Sequence, residues 1–352
     1  MRTRSPLAFP LVIRAIYELD PPEAAETLAL IESVGRADGP MHVRGTVAEY
    51  ADGRAVLEFP RENWGGDVTL LVSSLLAGEW ADSAAFAHCR LVGLQLPVGL
   101  LPGPAFAAPD EVLVGAIVKP SLGLSPEEFA STAAALAAGG ADLVKDDELL
   151  GDPAWCPLEE RVRAVAAVVP DGVRYAANVT GPMESLLQRA GRIVELGAGA
   201  VMVNAFAQGL DSVRALRQAE LGVPIFAHRV GAALWAREHS FGVAPAVIAE
   251  LTRLCGADYV QVGSFSGSVC DTPDDVRAQI EACHRPLGSL RRSVAVLGGG
   301  IGPENARVQV DAAGVSSGLM VLLGSAAYDA SPEAAVRATV ASVRPKSVAE
   351  RA

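Results

Sequence analysis

The sequence predicts an α/β protein: a small α+β domain, ferredoxin-like in its mixture of strands and helices, followed by a C-terminal (β/α)8 TIM barrel. Three observations predict it. From about residue 110 onward, short apolar segments alternate with helical segments. The alternation ends after eight units in about 230 residues, the arithmetic of a closed barrel. No GxGxxG follows the first of these strands, as an open dinucleotide-binding sheet would carry. An open doubly wound sheet also alternates and is the weaker alternative. The N-terminal domain with its linker is assigned to residues 1–108 and the barrel to residues 109–352.

Residues 10–100 have a rhythm of their own. "LVIRAIYEL" reads as a strand, and "PPEAAETLALIESVG" as a helix with prolines at its start and glycine past its end. "HVRGTVAEY" and "RAVLEFP" flank "ADG", a hairpin signal. "DVTLLVSSLLAG" and "CRLVGLQLP" read as further strands, and "LPVGLLPGPAFAAPDE", rich in proline and glycine, as a linker. The barrel strands are then "VLVGAIV", "ADLVK", "VRYAANV", "AVMVN", "VPIFAH", "ADYVQV", "SVAVLG" and "GLMVLLG". The helices include "SPEEFASTAAALAA", "PLEERVRAVAAVV" and "TPDDVRAQIEACH", several opening on Ser-Pro, Thr-Pro or Pro and several ending at glycine, as at Gly139, Gly197, Gly256 and Gly314.

Composition narrows the function classes. Half of the 352 residues are hydrophobic, enough for a large core. A net charge of -12 without a basic tract argues against nucleic acid and anionic membrane as partners. The five cysteines are scattered, with no CxxC and no zinc-finger spacing, so buried free thiols in a reducing cytosol are expected. Arg14, Glu18 and Asp20 interrupt the first apolar run too early for a signal peptide or membrane span. A soluble, cytoplasmic protein acting on a small molecule is the expectation.

In a (β/α)8 barrel the chemistry sits at the C-terminal ends of the strands. The first strand ends "GAIVKP" with Lys119, and the second "LVKDDE". Alternation places Lys145 and Asp147 on one side of that strand and Asp146 on the other, with Glu148 just beyond. The third and fourth strands end at Asn178 and Asn204, and the fifth at His228 and Arg229. Carboxylates with a further oxygen donor suit a hard cation, most plausibly Mg2+, which would polarise a carbonyl and stabilise an enolate. The ammonium of Lys145 cannot bind a metal; it pairs with the carboxylates, or becomes an oxygen ligand by capturing CO2 as a carbamate. A solvated charged turn is the plain alternative for KDDE, a satisfied core-edge residue for His228, and loop caps for both asparagines. Glycine-rich turns after the last two strands, "GGGIGPEN" and "LLGSA", lie where such barrels commonly bind phosphate.

These residues carry a family likeness. "GAIVKPSLGLSPEEFASTAAALAAGGADLVKDDE" resembles the first two barrel strands of ribulose-bisphosphate carboxylase large subunits, and more closely those of the RuBisCO-like proteins; "FAHRV" and "VLGGGIG" follow in matching order. The resemblance implies a carbamylated Lys145 binding Mg2+ together with Asp147 and Glu148, and Lys119 as an acid/base group. It implies His228 beside substrate hydroxyls, Arg229 at a phosphate, and Gly298, Gly299, Gly300 and Gly324 with Ser325 as a backbone phosphate cradle; Asn178 is carried as a substrate contact. It also implies a dimer, or an assembly of dimers.

The departures bear on the reaction. Carboxylases carry a second lysine where Ser121 stands, and a histidine and a lysine in the motif matched by "VGSFSGSVCDTPDD", which has neither. "SLLAGEW" places Gly78 and Glu79 where polar residues serve a neighbouring site. Carbon fixation is therefore not expected. The family's enolase and isomerase branches use a lysine from the N-terminal domain, and residues 1–118 contain none. The expectation is Mg2+-assisted enediolate formation from a keto-sugar acid or keto-sugar phosphate, with decarboxylation preferred. An enolase or isomerase of a methylthiopentulose phosphate and a catalytically inactive binding protein are the alternatives.

Overall fold

The computed structural model describes residues 12–329 and 331–344. Its contacts divide the chain into two compact units. The first runs through Leu101 and includes Ala233–Ile248; the second comprises Pro102–Ala232 and the chain from Ala249 onward. Residues 102–108, which the sequence reading places with the N-terminal domain, belong to the second unit.

In the first unit, strands β1 (Val12–Asp20), β2 (Thr46–Ala51), β3 (Arg54–Pro60) and β4 (His88–Gln95) form an antiparallel sheet ordered β4-β1-β3-β2. Helical segments lie between β1 and β2 and between β3 and β4, which is the ferredoxin-like arrangement. Along β1, Ile13, Ala15, Tyr17 and Leu19 are buried in strict alternation. The hairpin between β2 and β3 turns at Asp52 (φ 51°) and Gly53 (φ 75°), the positive-φ pair a tight two-residue turn demands.

One expectation is corrected. "DVTLLVSSLLAG" is helical, not a strand: Val68–Leu71 forms an α-helical turn that widens into a π-helical one over Val72–Leu76. The Asp67 carboxylate caps it, accepting from the Leu70 N–H at 3.0 Å. Val68, Leu71, Leu75 and Leu76 are the buried residues, a helical spacing that a short apolar run disguises.

In the second unit, β5 (Val112–Ile117), β6 (Leu143–Lys145), β7 (Arg174–Asn178), β8 (Ala200–Asn204) and β9 (Ile225–His228) are successive parallel strands. Residues Phe241–Val243 then form β10, which pairs in parallel with β4 within the first unit and is not among the strands the pattern predicts. The barrel resumes with β11 (Tyr259–Val262), β12 (Val294–Gly298) and β13 (Leu319–Leu323), and β13 pairs with β5 to close it. The eight-stranded barrel is thus as expected. Its helices start as the sequence indicates: Ser125 with Glu128 and Thr272 with Asp275 make reciprocal caps ahead of Pro126 and Pro273.

The barrel interior is one buried cluster, including Leu113, Leu143, Ala176, Met202, Phe226, Tyr259, Val296 and Met320. Fully burying a side chain such as Phe226 contributes about 1.5–3 kcal/mol. Alternate residues of each strand point inward. Continuing that parity to the strand ends brings in Lys145, Asn178, Asn204, His228, Gln261 and Gly298, with Lys119 and Asp147 two residues past their inward neighbours. The fold therefore turns an apolar core into a polar mouth within one or two residues per strand.

Candidate active site at the barrel mouth

Strand alternation separates the four charges of KDDE. Asp146 points away from the barrel axis and is fully buried. It accepts from Arg161 Nη2 at 2.9 Å, from the Asn178 N–H at 2.8 Å and from the Tyr175 hydroxyl. Arg161 is equally buried, so Asp146 is a structural anion that ties the following helix to β6 and β7.

Lys145, fully buried, points inward. Its Nζ donates to the Asp146 carbonyl at 2.7 Å and lies 5.7 Å from the centre of the Phe226 ring. Burial lowers its pKa to about 8, against the opposing pull of Glu148, Asp147 and Asp146; Lys119 adds to the lowering. Asp147 is 1% exposed and accepts from Lys119 Nζ at 2.5 Å, from Ser121 Oγ at 3.0 Å and from the Leu149 N–H at 3.0 Å. Burial alone would raise its pKa, but the hydrogen bond from Lys119 and these other donors outweigh it, and the net shift is downward. Ser121 also accepts from Lys119 at 3.0 Å, so the serine in place of a second lysine belongs to this cluster.

Glu148 Oε2 lies 3.4 Å from His228 Nε2. Burial, then the nearby Lys145, Arg229 and Lys119, hold His228 well below its usual pKa, so it is neutral at pH 7. Its Nδ1 accepts from the Val230 N–H at 3.1 Å, which leaves the proton on Nε2, facing Glu148.

The asparagines hold the loop that carries Glu148. Asn204 Nδ2 donates to the Glu148 carbonyl at 2.9 Å. Asn178 Nδ2 donates to the carbonyls of Leu150 (3.1 Å) and Glu148 (3.4 Å), and its Oδ1 accepts from the Thr180 N–H at 3.0 Å. Asn178 is thus committed at both ends to main chain. Arg229 is held by Asp271 through two parallel bonds, at 2.8 and 3.1 Å. Gly299 and Gly300, at φ 107° and 72°, are packed against the loop after β11: a Cβ on Gly299 would meet Val269 at 2.5 Å, and one on Gly300 would meet the Gly267 main chain at 3.0 Å. Gly298 makes room for the Gln261 amide, while Gly324 has nothing within 4 Å of a Cβ position. Ser325 opens a 3-10 turn that carries Tyr328, whose hydroxyl accepts from the Lys119 N–H at 3.0 Å and donates to the Ile117 carbonyl at 2.9 Å.

Tyr328, Asp271 and Gln261 adjoin the candidate residues Lys119, Arg229 and Gly298 and were missed by sequence reasoning. Tyr328 and Asp271 reach the site across long sequence separations and leave no local signal. Gln261 was legible: it is a polar residue two positions past Tyr259 on the inward parity of β11.

The donor set fits a divalent cation on one condition. No group of three or more His, Cys, Asp or Glu residues among those described could hold a metal. Asp147 and Glu148 offer two carboxylates, and a third anionic oxygen would require a modified Lys145. Its buried amine has a lowered pKa and one hydrogen bond against three N–H donors, the chemistry of an amine that takes up CO2.

Fold and site together define a (β/α)8 barrel with a lysine–carboxylate cluster at its mouth. The model for the ribulose bisphosphate carboxylase large chain, catalytic domain, matches residues 102–302. The chain belongs to this family, in its non-carboxylating RuBisCO-like branch. It is 33% identical over 275 residues to a ribulose bisphosphate carboxylase-like protein of Allochromatium vinosum, an alignment covering 72% of this chain and 60% of that one, so the chain spans about three fifths of that relative. It is 34% identical to a 3-oxo-isoapionate-4-phosphate transcarboxylase/hydrolase of Xanthobacter autotrophicus (66% and 61% covered). It is 33% identical to a 2,3-diketo-5-methylthiopentyl-1-phosphate enolase of Geobacillus thermodenitrificans (64% and 60% covered). A crystal structure of a rubisco-like protein from Alicyclobacillus acidocaldarius superposes with a TM-score of 0.80 at 30% identity, covering 94% of this chain and 93% of that one.

Proposed function

We propose that this chain is a Mg2+-dependent, enolate-forming lyase that decarboxylates a small polyhydroxylated keto acid and does not fix CO2. The observation that carries this reading is the Lys145 amine: buried, lowered to a pKa of about 8, and set beside Asp147 and Glu148. Its neutral form adds CO2 to give a carbamate and one proton released to buffer. That carbamate, Asp147 and Glu148 are the groups that would hold the cation. When bound, Mg2+ would polarise the substrate's keto oxygen and stabilise negative charge there.

The chain's own residues supply the rest. Lys119 Nζ shares the Asp147 carboxylate, and its ammonium would be free to turn toward the substrate where that carboxylate serves as a ligand. The C–C bond to the substrate carboxylate breaks, CO2 departs, and its electron pair becomes the enediolate; Lys119 Nζ returns a proton to that carbon. His228, protonated on Nε2, donates to a substrate hydroxyl. Asn178 and Asn204 keep the Glu148 main chain in place. Tyr328 fixes the Lys119 backbone.

The relative named as a transcarboxylase/hydrolase supports carboxyl-group chemistry. The relative named as an enolase favours a second reading, proton abstraction from a methylthiopentyl phosphate. Residues 1–118 offer no lysine for it, so Lys119 or the Lys145 carbamate would serve as base. The protein with Mg2+ and bicarbonate, assayed against 3-oxo sugar acids, is expected to release CO2; solvent proton exchange without CO2 release supports the enolase instead. Asp147→Ala is expected to abolish turnover, and retained function in that variant would point to a binding protein. We assign a homodimer as the working unit, to be tested by light scattering.

A further inference from the structure

Asn204 and Gln261 each hold a buried side-chain oxygen, Oδ1 and Oε1, with no hydrogen-bond partner. Both lie on the inward parity at the strand ends. Asn204 pairs with His228 across β8 and β9. Gln261 follows the Val260–Ala227 pair of β11 and β9, which sets it level with His228 on the other side. Three neighbouring strands thus present amide, imidazole and amide at one height. The Asn204 orientation is fixed, because Nδ2 donates to the Glu148 carbonyl and leaves Oδ1 as the free acceptor. Asn204 is 7% exposed, and an unmet acceptor at that depth is retained at a cost in stability unless something else donates to it. The Gln261 amide lies 2.9 Å from where a Gly298 Cβ would be, so Gly298 is the residue that lets this side chain fit.

Arg229, the cation beside His228 in the chain, is already engaged: Asp271 neutralises it. Gly299 and Gly300 are covered by the loop around Gly267 and Val269. An amide oxygen accepts hydrogen bonds and repels an anion. A sugar hydroxyl donates; a phosphate dianion offers only acceptors. We infer that Asn204 and Gln261 are substrate-binding residues that receive hydroxyl groups on either side of His228, and that the substrate end lying over β8, β9 and β11 is an unphosphorylated polyol. This rests on the proposed reading of the site and names the substrate class it takes.

The test uses the full chain with Mg2+ and bicarbonate and two probes, erythronate and erythronate 4-phosphate, by titration calorimetry. Erythronate is expected to bind at least tenfold more tightly than its phosphate. Gln261→Leu is expected to weaken erythronate at least tenfold, to leave the hydroxyl-free probe acetoacetate unchanged, and to raise the melting temperature of the ligand-free protein. A merely structural glutamine would lower that temperature on substitution. Equal or tighter binding of the phosphate, no erythronate binding, or a Leu variant that binds like wild type overturns the inference. Failure of CO2 release with hydroxyl selectivity intact would instead overturn the decarboxylase reading alone.

Discussion

Lys119 Nζ lies 2.5 Å from Asp147 Oδ2, and both reach inward from adjacent strands of the barrel mouth. One carboxylate is therefore claimed by an ammonium and by the proposed cation. Lys119→Met is expected to tighten Mg2+ binding by about tenfold, or 1.4 kcal/mol, while turnover falls by roughly 10²–10⁴ through loss of the proton donor. Calorimetric titration of Mg2+ beside steady-state assays checks both halves. Weaker Mg2+ binding would mean that the ion pair supports the site and does not compete with it.

Asp146 carries a different role from its neighbours. Asp146→Asn leaves Arg161 buried without its counter-charge, and its single oxygen can replace only one of the two acceptors, that of the Tyr175 hydroxyl or that shared by Arg161 and the Asn178 N–H. Breaking a buried pair on one side typically costs about 3–5 kcal/mol. Urea unfolding should show that loss, with the affinity for Mg2+ in the surviving folded fraction unchanged.

Outside the barrel, Glu32 gives a pH signature. Burial raises its pKa to about 7, despite hydrogen bonds from the Trp80 N–H at 3.1 Å and Ser74 Oγ at 3.3 Å. The folded state therefore holds a proton that the unfolded state has released between pH 4.5 and 7. The Glu32 contribution to stability falls as pH rises through that window and is lowest above it. Glu32→Gln is expected to raise stability at pH 8 by roughly 1–3 kcal/mol and to change it little at pH 4.5. Melting curves at the two pH values test this; a larger gain at pH 4.5 would contradict it.

Much of this architecture was legible because periodicity is a local property. The split of Lys145 and Asp147 from Asp146 follows from the two-residue repeat of a strand, and the eight-fold alternation announces the barrel. Where the period is short, the reading fails: Val68–Leu76 has too few residues to separate alternation from a helical spacing. Phe241–Val243 is too short to read as a strand at all, and its partner β4 lies far back in the chain. Cys270 is exposed although the other four cysteines are buried, and nothing in its neighbours signals that. The ion pair between Arg229 and Asp271 joins residues 42 apart, and the bond from Lys119 to Tyr328 spans 209. Such contacts are set by barrel closure, which no local window contains.

The central claim is that Lys145 becomes an oxygen ligand, and the sequence offers a clean background for testing it. The chain has three lysines: Lys119, Lys145 and Lys346, the last outside the described residues. The most direct measurement is carbon NMR of the protein in 13C-bicarbonate with and without Mg2+. The account predicts a carbamate resonance that strengthens with Mg2+, disappears in Lys145→Arg and survives in Lys119→Arg. A wild-type spectrum without that resonance, at any Mg2+ concentration, would contradict it.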